Sequence, residues 1–147
     1  MISRSAWRKL PDMMTTQEMQ RRAVRKRIFI VDDAPLARRG LRALIDAEPD
    51  LIVCGENATR EGALRAIAAA PPDLAVIDPS LDQGDGFELI VEIRSRHENL
   101  PVLALSAHET PSHIRRAFVA GASGYVAKSA ATDTLLLAIR NALRGET

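Results

Sequence analysis

Five short apolar runs, none interrupted by a polar side chain, constrain this chain more than any other feature. They are Ile28-Phe29-Ile30-Val31, Leu51-Ile52-Val53-Cys54, Leu74-Ala75-Val76-Ile77, Val102-Leu103-Ala104-Leu105 and the shorter Tyr125-Val126-Ala127. A strand with one wet face alternates apolar and polar residues. A run without alternation suits a strand buried on both faces, as in a parallel sheet between helical layers. The intervening segments carry helical spacing instead. Leu36, Leu41, Leu44 and Ile45 form a stripe stopped by Pro49; Leu64, Ile67 and Ala68 form another, stopped by Pro71-Pro72. Phe87, Leu89, Ile90 and Ile93 make a third, and Ile114, Ala117 and Phe118 a fourth that ends at Gly121. Leu135, Leu136, Ile139, Ala142 and Leu143 make the last, with Thr132 or Asp133 available as its cap. Five β-then-α units predict an α/β fold, a doubly wound five-stranded parallel sheet with right-handed crossovers.

Only 3% of the 147 residues are aromatic against 46% apolar, so the core must come from Leu, Ile, Val and Ala. No apolar run is long enough to span a membrane, and no leader with a cleavage site opens the chain; a cytoplasmic protein with no membrane partner is expected. Cys54 is the single cysteine, which excludes an internal disulfide. The net charge of +1 hides an asymmetry: residues 1–27 hold eight Arg or Lys against two acidic residues, whereas the rest is acidic. The chain divides into a basic extension, residues 1–26, and a globular domain, residues 27–147. Thr15-Thr16-Gln17-Glu18 resembles a capping box and would start a short helix over about residues 16–26. With so few apolar residues to bury, a solvated tail is the better expectation. The tail's arginines lack interleaved aromatics apart from Trp7, so direct nucleic-acid binding is not expected.

In an open α/β sheet, ligands bind beyond the carboxyl ends of the strands. Asp32 and Asp33 follow the first run, Asp78 the third, Ser106 the fourth and Lys128 the fifth. The topology thus carries three carboxylates, a hydroxyl and an ammonium to one rim. Two carboxylates about 5 Å apart repel by roughly 3 kcal/mol at an effective dielectric of about 20. Such a cluster either keeps a proton or recruits a cation. Hard oxygen donors of this kind suit Mg2+. With a hydroxyl and an ammonium alongside, they can cradle a transferring phosphoryl group. Singly, each residue has a plainer explanation: a strand end, a turn before Pro79, a helix cap, a surface lysine. The weight lies in all five falling on the same edge.

Four stretches occur in order: Ile30-Val31-Asp32-Asp33 with Leu36-Ala37-Arg38; Asp78 with Gly84-Asp85-Gly86-Phe87-Glu88-Leu89; Leu105-Ser106-Ala107; and Gly121-Ala122-Ser123-Gly124-Tyr125-Val126-Ala127-Lys128. Through them the chain, over about residues 27–145, resembles the receiver domain of bacterial two-component response regulators. The Gly121–Gly124 loop resembles the NarL/FixJ-type subgroup, whose members usually carry a helix-turn-helix output domain. No output domain is expected here, because the last helix ends near Arg144, and the chain reads as a stand-alone receiver.

The resemblance implies a flavodoxin-like fold with strand order 2-1-3-4-5. It implies Asp78 as phosphoacceptor, charged by a histidine kinase or phosphotransfer protein. Asp32, Asp33, Asp78 and the backbone carbonyl of Ser80 would hold Mg2+, and Lys128 would pair with the phosphoryl oxygens. Ser106 would be the switch hydroxyl and Tyr125 the aromatic that turns inward behind it. Pro79, Ala107 and His108 would flank the phosphoryl group, with Ser80 and His108 placed to control water access. His108 would then make dephosphorylation pH-sensitive near its titration range, unless it is simply a solvated loop residue. Three departures bear on rate and lifetime: Pro79 offers no N–H, Asp82 stands where the family usually has proline, and Ser129 follows the lysine.

Two other readings compete. A degenerate receiver would act through phosphorylation-independent protein contacts, which the intact five-residue set opposes. A small flavodoxin-like or nucleotide-binding enzyme would need a glycine-rich cradle, and Asp32-Asp33-Ala34-Pro35 offers none. Catalysis beyond self-phosphorylation and slow autodephosphorylation is not expected. The effector downstream is not named by the sequence, and a homodimer through a helical face is compatible with the resemblance.

Overall fold

Each of the five apolar runs is a strand and each of the five stripes a helix. The computed structural model describes residues 15–17 and 24–146. In chain order the elements are β1 (Lys26–Val31), α1 (Pro35–Asp46), β2 (Leu51–Asn57), α2 (Arg60–Ala69), β3 (Leu74–Ile77), α3 (Asp85–Arg96), β4 (Val102–Ser106), α4 (Pro111–Ala120), β5 (Gly124–Ala127) and α5 (Thr132–Leu143), with one 3-10 turn at Leu81–Gly84. Every strand pair is parallel and the order is β2-β1-β3-β4-β5. The flavodoxin-like order of the sequence reading is the observed one. No helix among the described residues is long and apolar enough to cross a membrane.

The missing alternation now has its cause. Ile28, Ile30, Leu74, Val76 and Leu103 face α1 and α5, where Ile45, Leu135, Leu136 and Ile139 meet them. Phe29, Val31, Ala75 and Ile77 face the other way, onto Ala63 and Ile67 of α2 and Leu89, Ile90 and Ile93 of α3. Both faces are dry, so both parities must be apolar. Arg140 of α5 ties the far end of the domain together, bonding both oxygens of Asp50 at 2.9 and 2.8 Å and Glu48 at 2.7 Å. Those partners hold its guanidinium above the usual pKa.

One irregularity matters for the site. Ile28 pairs with Val53 but Phe29 pairs with Gly55, so Cys54 is an extra residue in β2. Val53 faces α1, whereas Cys54 packs with the α2–α3 core and a Cβ on Gly55 would strike the Phe29 ring on that same side. Two consecutive residues therefore point one way, and Glu56 is turned back toward α1. The Asp46 carboxylate supports the turn by accepting the Val53 N–H at 2.8 Å.

Several expectations need correction. Leu36, placed on the buried stripe of α1, is 82% exposed, because the first turn of that helix stands above the sheet rim. Phe118 of α4 is also largely exposed. Neither Thr132 nor Asp133 caps α5; the cap position is Ala131, whose methyl makes no capping hydrogen bond, and both residues lie inside the first turn. Thr16 and Gln17 are helical, as the capping-box reading allowed and the favoured solvated tail did not, but Val24 lies in a turn and Lys26 already belongs to β1, so no helix runs to residue 26. Most of the basic extension, residues 1–26, lies outside the described residues.

Candidate phosphoryl-transfer site

β1 and β3 are central neighbours, so their carboxyl ends bring Asp32 and Asp78 side by side. Asp32 is fixed by its own turn: its Oδ1 accepts the Ala34 N–H at 2.9 Å, and its N–H continues the β1–β2 ladder onto the Asn57 carbonyl. Asp78 is fixed likewise, its Oδ1 accepting the Ser80 N–H at 2.9 Å and its own N–H donating to the Val31 carbonyl. Asp33 is exposed and completes the cluster: one oxygen from each of Asp32, Asp33 and Asp78 lies within 4.8 Å of the others.

Lys128, at the end of β5, reaches across the rim to both buried carboxylates. Its Nζ donates to Asp32 Oδ2 at 2.7 Å and to Asp78 Oδ2 at 2.8 Å. Burial lowers the pKa of this ammonium, but the bonds and charges of Asp32 and Asp78 outweigh burial and leave it raised. A raised value means that the stabilisation is complete below the ordinary 10.5 and is lost as pH climbs through the folded value. Lys128→Met strands two buried carboxylates and is expected to cost about 3 kcal/mol. Urea unfolding checks this, and it should also show that the wild type, unlike the variant, loses stability above pH 10.5.

Ser106 closes β4 and is fully buried. Its hydroxyl accepts the His108 N–H at 3.0 Å, and its carbonyl accepts the Lys128 N–H at 2.8 Å. The hydroxyl thus holds the loop that leads to α4. Tyr125 holds the same loop from β5, its hydroxyl donating to the His108 carbonyl while its ring packs beside Phe87, Ala104, Ala117 and Ala122. Thr110 then caps α4, with Pro111 in the first turn. Pro79 is buried, and Ala107 and His108 are exposed in the loop.

The sequence-derived site residues fall at this rim: Asp32, Asp33, Asp78 and Lys128 as one cluster, Ser80 in the turn after Asp78, and Ser106 of β4 and Tyr125 of β5 bonded to the neighbouring loop. His108 does not stand alone. Its ring lies 4.8 Å from that of His113, whose ring in turn meets Phe87 edge-on at 5.1 Å. Burial, then the charges of His108 and Arg116, lower the His113 pKa, against a smaller upward pull from Asp78.

Sequence reasoning also missed Gly86. A Cβ there would lie 2.2 Å from the Asp78 carbonyl oxygen and 2.6 Å from Pro79 Cα. The first turn of α3 is pressed directly onto the backbone of Asp78 and Pro79. Asp82, where the family usually has proline, has φ +42°, a left-handed value that a proline ring cannot adopt.

The donor set fits a hard divalent cation. Among the described residues three carboxylates face a single ammonium, and the buried Ser80 hydroxyl, in the turn after Asp78, has no hydrogen-bond partner.

Comparison with known proteins agrees with this geometry. The family model for the response regulator receiver domain matches residues 28–140. The DNA-binding transcriptional activator DevR/DosR of Mycobacterium tuberculosis is 38% identical over 115 residues, covering 78% of this chain and 53% of that protein. The chain thus spans about half the length of that relative. Among solved structures, a LuxR-family two-component response regulator from Aurantimonas sp. SI85-9A1 superposes with a TM-score of 0.79 at 36% identity, covering 83% of this chain and 87% of that one. The signal receiver domain of a Mycobacterium tuberculosis response regulator gives 0.78 at 29% identity, over 83% of this chain and 98% of that one. With one family model accounting for β1 through most of α5, this chain belongs to the response regulator receiver domain family of two-component phosphorelay signalling.

Proposed function

We propose that this domain accepts a phosphoryl group on Asp78 from a partner histidine kinase or phosphotransfer protein, in a Mg2+-dependent step. The observation that carries the reading is the convergence of the Asp78 carboxylate with Asp32, Asp33 and Lys128. An Asp78 oxygen attacks phosphorus as the donor's P–N bond breaks. The donor imidazole keeps the bonding pair, and an acyl phosphate forms. Asp32, Asp33, Asp78 and the Ser80 carbonyl would hold Mg2+, which would neutralise charge on the phosphoryl oxygens. Lys128, already 2.8 Å from Asp78, supplies the remaining positive charge. Leu36, exposed on the first turn of α1 beside the rim, offers the donor protein an apolar contact.

The new phosphate oxygens compete for the Ser106 hydroxyl, which now holds the His108 N–H. Drawing Ser106 toward phosphate releases that bond, and with it the loop to which Tyr125 is tethered. His108, with His113 against it, sits on that loop and would influence the lifetime of the phosphoryl group. One relative, DevR/DosR, is a DNA-binding transcriptional activator, which supports an output on nucleic acid for signalling of this kind. We assign to this region the control of such an output rather than the DNA contact itself, and we place its action in the cytoplasm.

The test is incubation with acetyl phosphate, with and without Mg2+, followed by intact-mass measurement and peptide mapping. One added phosphoryl group on Asp78, appearing only with Mg2+, is the expected result. Unchanged mass, together with unchanged amide spectra after addition of beryllofluoride, would instead favour a receiver that works through constitutive contacts.

A further inference from the structure

Asp32 is held at a third point by a side chain of α1 to which the sequence reading gave no role. Its main-chain carbonyl, just past the end of β1, accepts a bond from Arg38 Nη1 at 2.6 Å. Arg38 lies one turn into α1, mostly buried, and its Nε meets Glu56 Oε1 at 3.4 Å. The other Glu56 oxygen takes Arg42 Nε at 3.0 Å. Glu56 reaches α1 only because Cys54 is an extra residue in β2; regular alternation from Val53 would send it toward α2.

The geometry points to Arg38 as a positioning residue for the acidic cluster, braced by Glu56. The argument rests on the Mg2+ reading of that cluster given above. A guanidinium donates along fixed directions, so one end can be clamped by a carboxylate while the other fixes a carbonyl. The Asp32 peptide is then pinned through its N–H by Asn57, through its carbonyl by Arg38 and through its side chain by Ala34 and Lys128. That peptide also sets the direction in which Asp33 leaves the chain. Glu56 has a second task. It neutralises Arg38 from the side away from the rim, so that the guanidinium does not swing over the carboxylates and compete with a bound cation.

Groups that orient the ligands of a metal typically change its affinity by roughly 10- to 100-fold when removed. Arg38→Met and Glu56→Gln are each expected to weaken Mg2+ binding by about tenfold. The readout is Mg2+ titration of the unphosphorylated protein, followed by the amide signals of Asp33 and Ala34, with no phosphodonor present. Because Glu56 acts through Arg38, adding Glu56→Gln to Arg38→Met should weaken binding no further. Arg42→Met, which touches Glu56 but not Asp32, should leave the affinity unchanged. Thermal unfolding without Mg2+ separates a general loss of stability from a change at the cluster.

Wild-type affinity in Arg38→Met, or losses that multiply in the double variant, would overturn the positioning role and leave the Mg2+ reading intact. Should the wild type itself take up no Mg2+, both readings fall together.

Discussion

Asp78→Asn is expected to reduce phosphoryl uptake from acetyl phosphate to background while the domain stays folded. The amide has nearly the shape of the carboxylate and can still take the Ser80 N–H through its oxygen. It presents no anionic oxygen to phosphorus, and attack by a neutral amide would form no acyl phosphate. Lys128 loses one partner but keeps Asp32 at 2.7 Å, so the rim remains paired. Intact mass reads the chemistry, and far-ultraviolet dichroism with urea unfolding reads the fold. A phosphoryl group still present in the variant, mapped to Asp32 or Asp33, would sink the assignment of Asp78 as acceptor.

Gly86→Ala is expected to destabilise the domain by about 3 kcal/mol, the upper end of the cost of forcing an atom into a filled space. By helix propensity alone the change would stabilise, since alanine is favoured over glycine in a helix by about 1 kcal/mol. The collision decides the sign. The added carbon would sit 2.2 Å from the Asp78 carbonyl oxygen and 2.8 Å from the Pro79 carbonyl carbon, and neither backbone atom can rotate away. Either α3 lifts from the sheet, exposing Leu89 and Ile90, or the acceptor loop shifts and Asp78 leaves Lys128. Urea unfolding and Mg2+ affinity measured together tell which happens. An unchanged midpoint with unchanged affinity would mean that the contact is loose.

The strand-and-helix order, the sheet and the rim residues were legible because each rests on a local, repeating signal. Unbroken apolar runs marked strands buried on both faces, and an α/β topology leaves their carboxyl ends on one edge. The cluster of carboxylates with an ammonium was legible from residue types and order, and the Lys128 bridge to Asp32 and Asp78 gives it geometry. What stayed hidden depends on distances between segments. Leu36 fits the helical stripe yet protrudes, because periodicity says nothing about where a helix overhangs its sheet. Gly86 looked like one more residue of a motif, since nothing in the chain says that the Asp78 backbone lies against it. Arg38 and Glu56 are 18 residues apart and meet only through an irregular pairing. His113 carries no signal of its own in the sequence, and only the fold sets its ring against His108.

That irregular pairing gives β2 something like a reading frame of two, with Cys54 as the inserted letter. Straighten the strand with every residue kept, and everything downstream to Asn57 is read on the wrong side: Glu56 would turn from α1 to α2, and Asn57 would leave the loop before Thr59 that it bonds. A chain that lost Cys54 itself would pair without a skip, Val53 and then Gly55, and Glu56 would still face α1; it is the skip in pairing, matched to one surplus residue, that keeps the phase of the acidic rim.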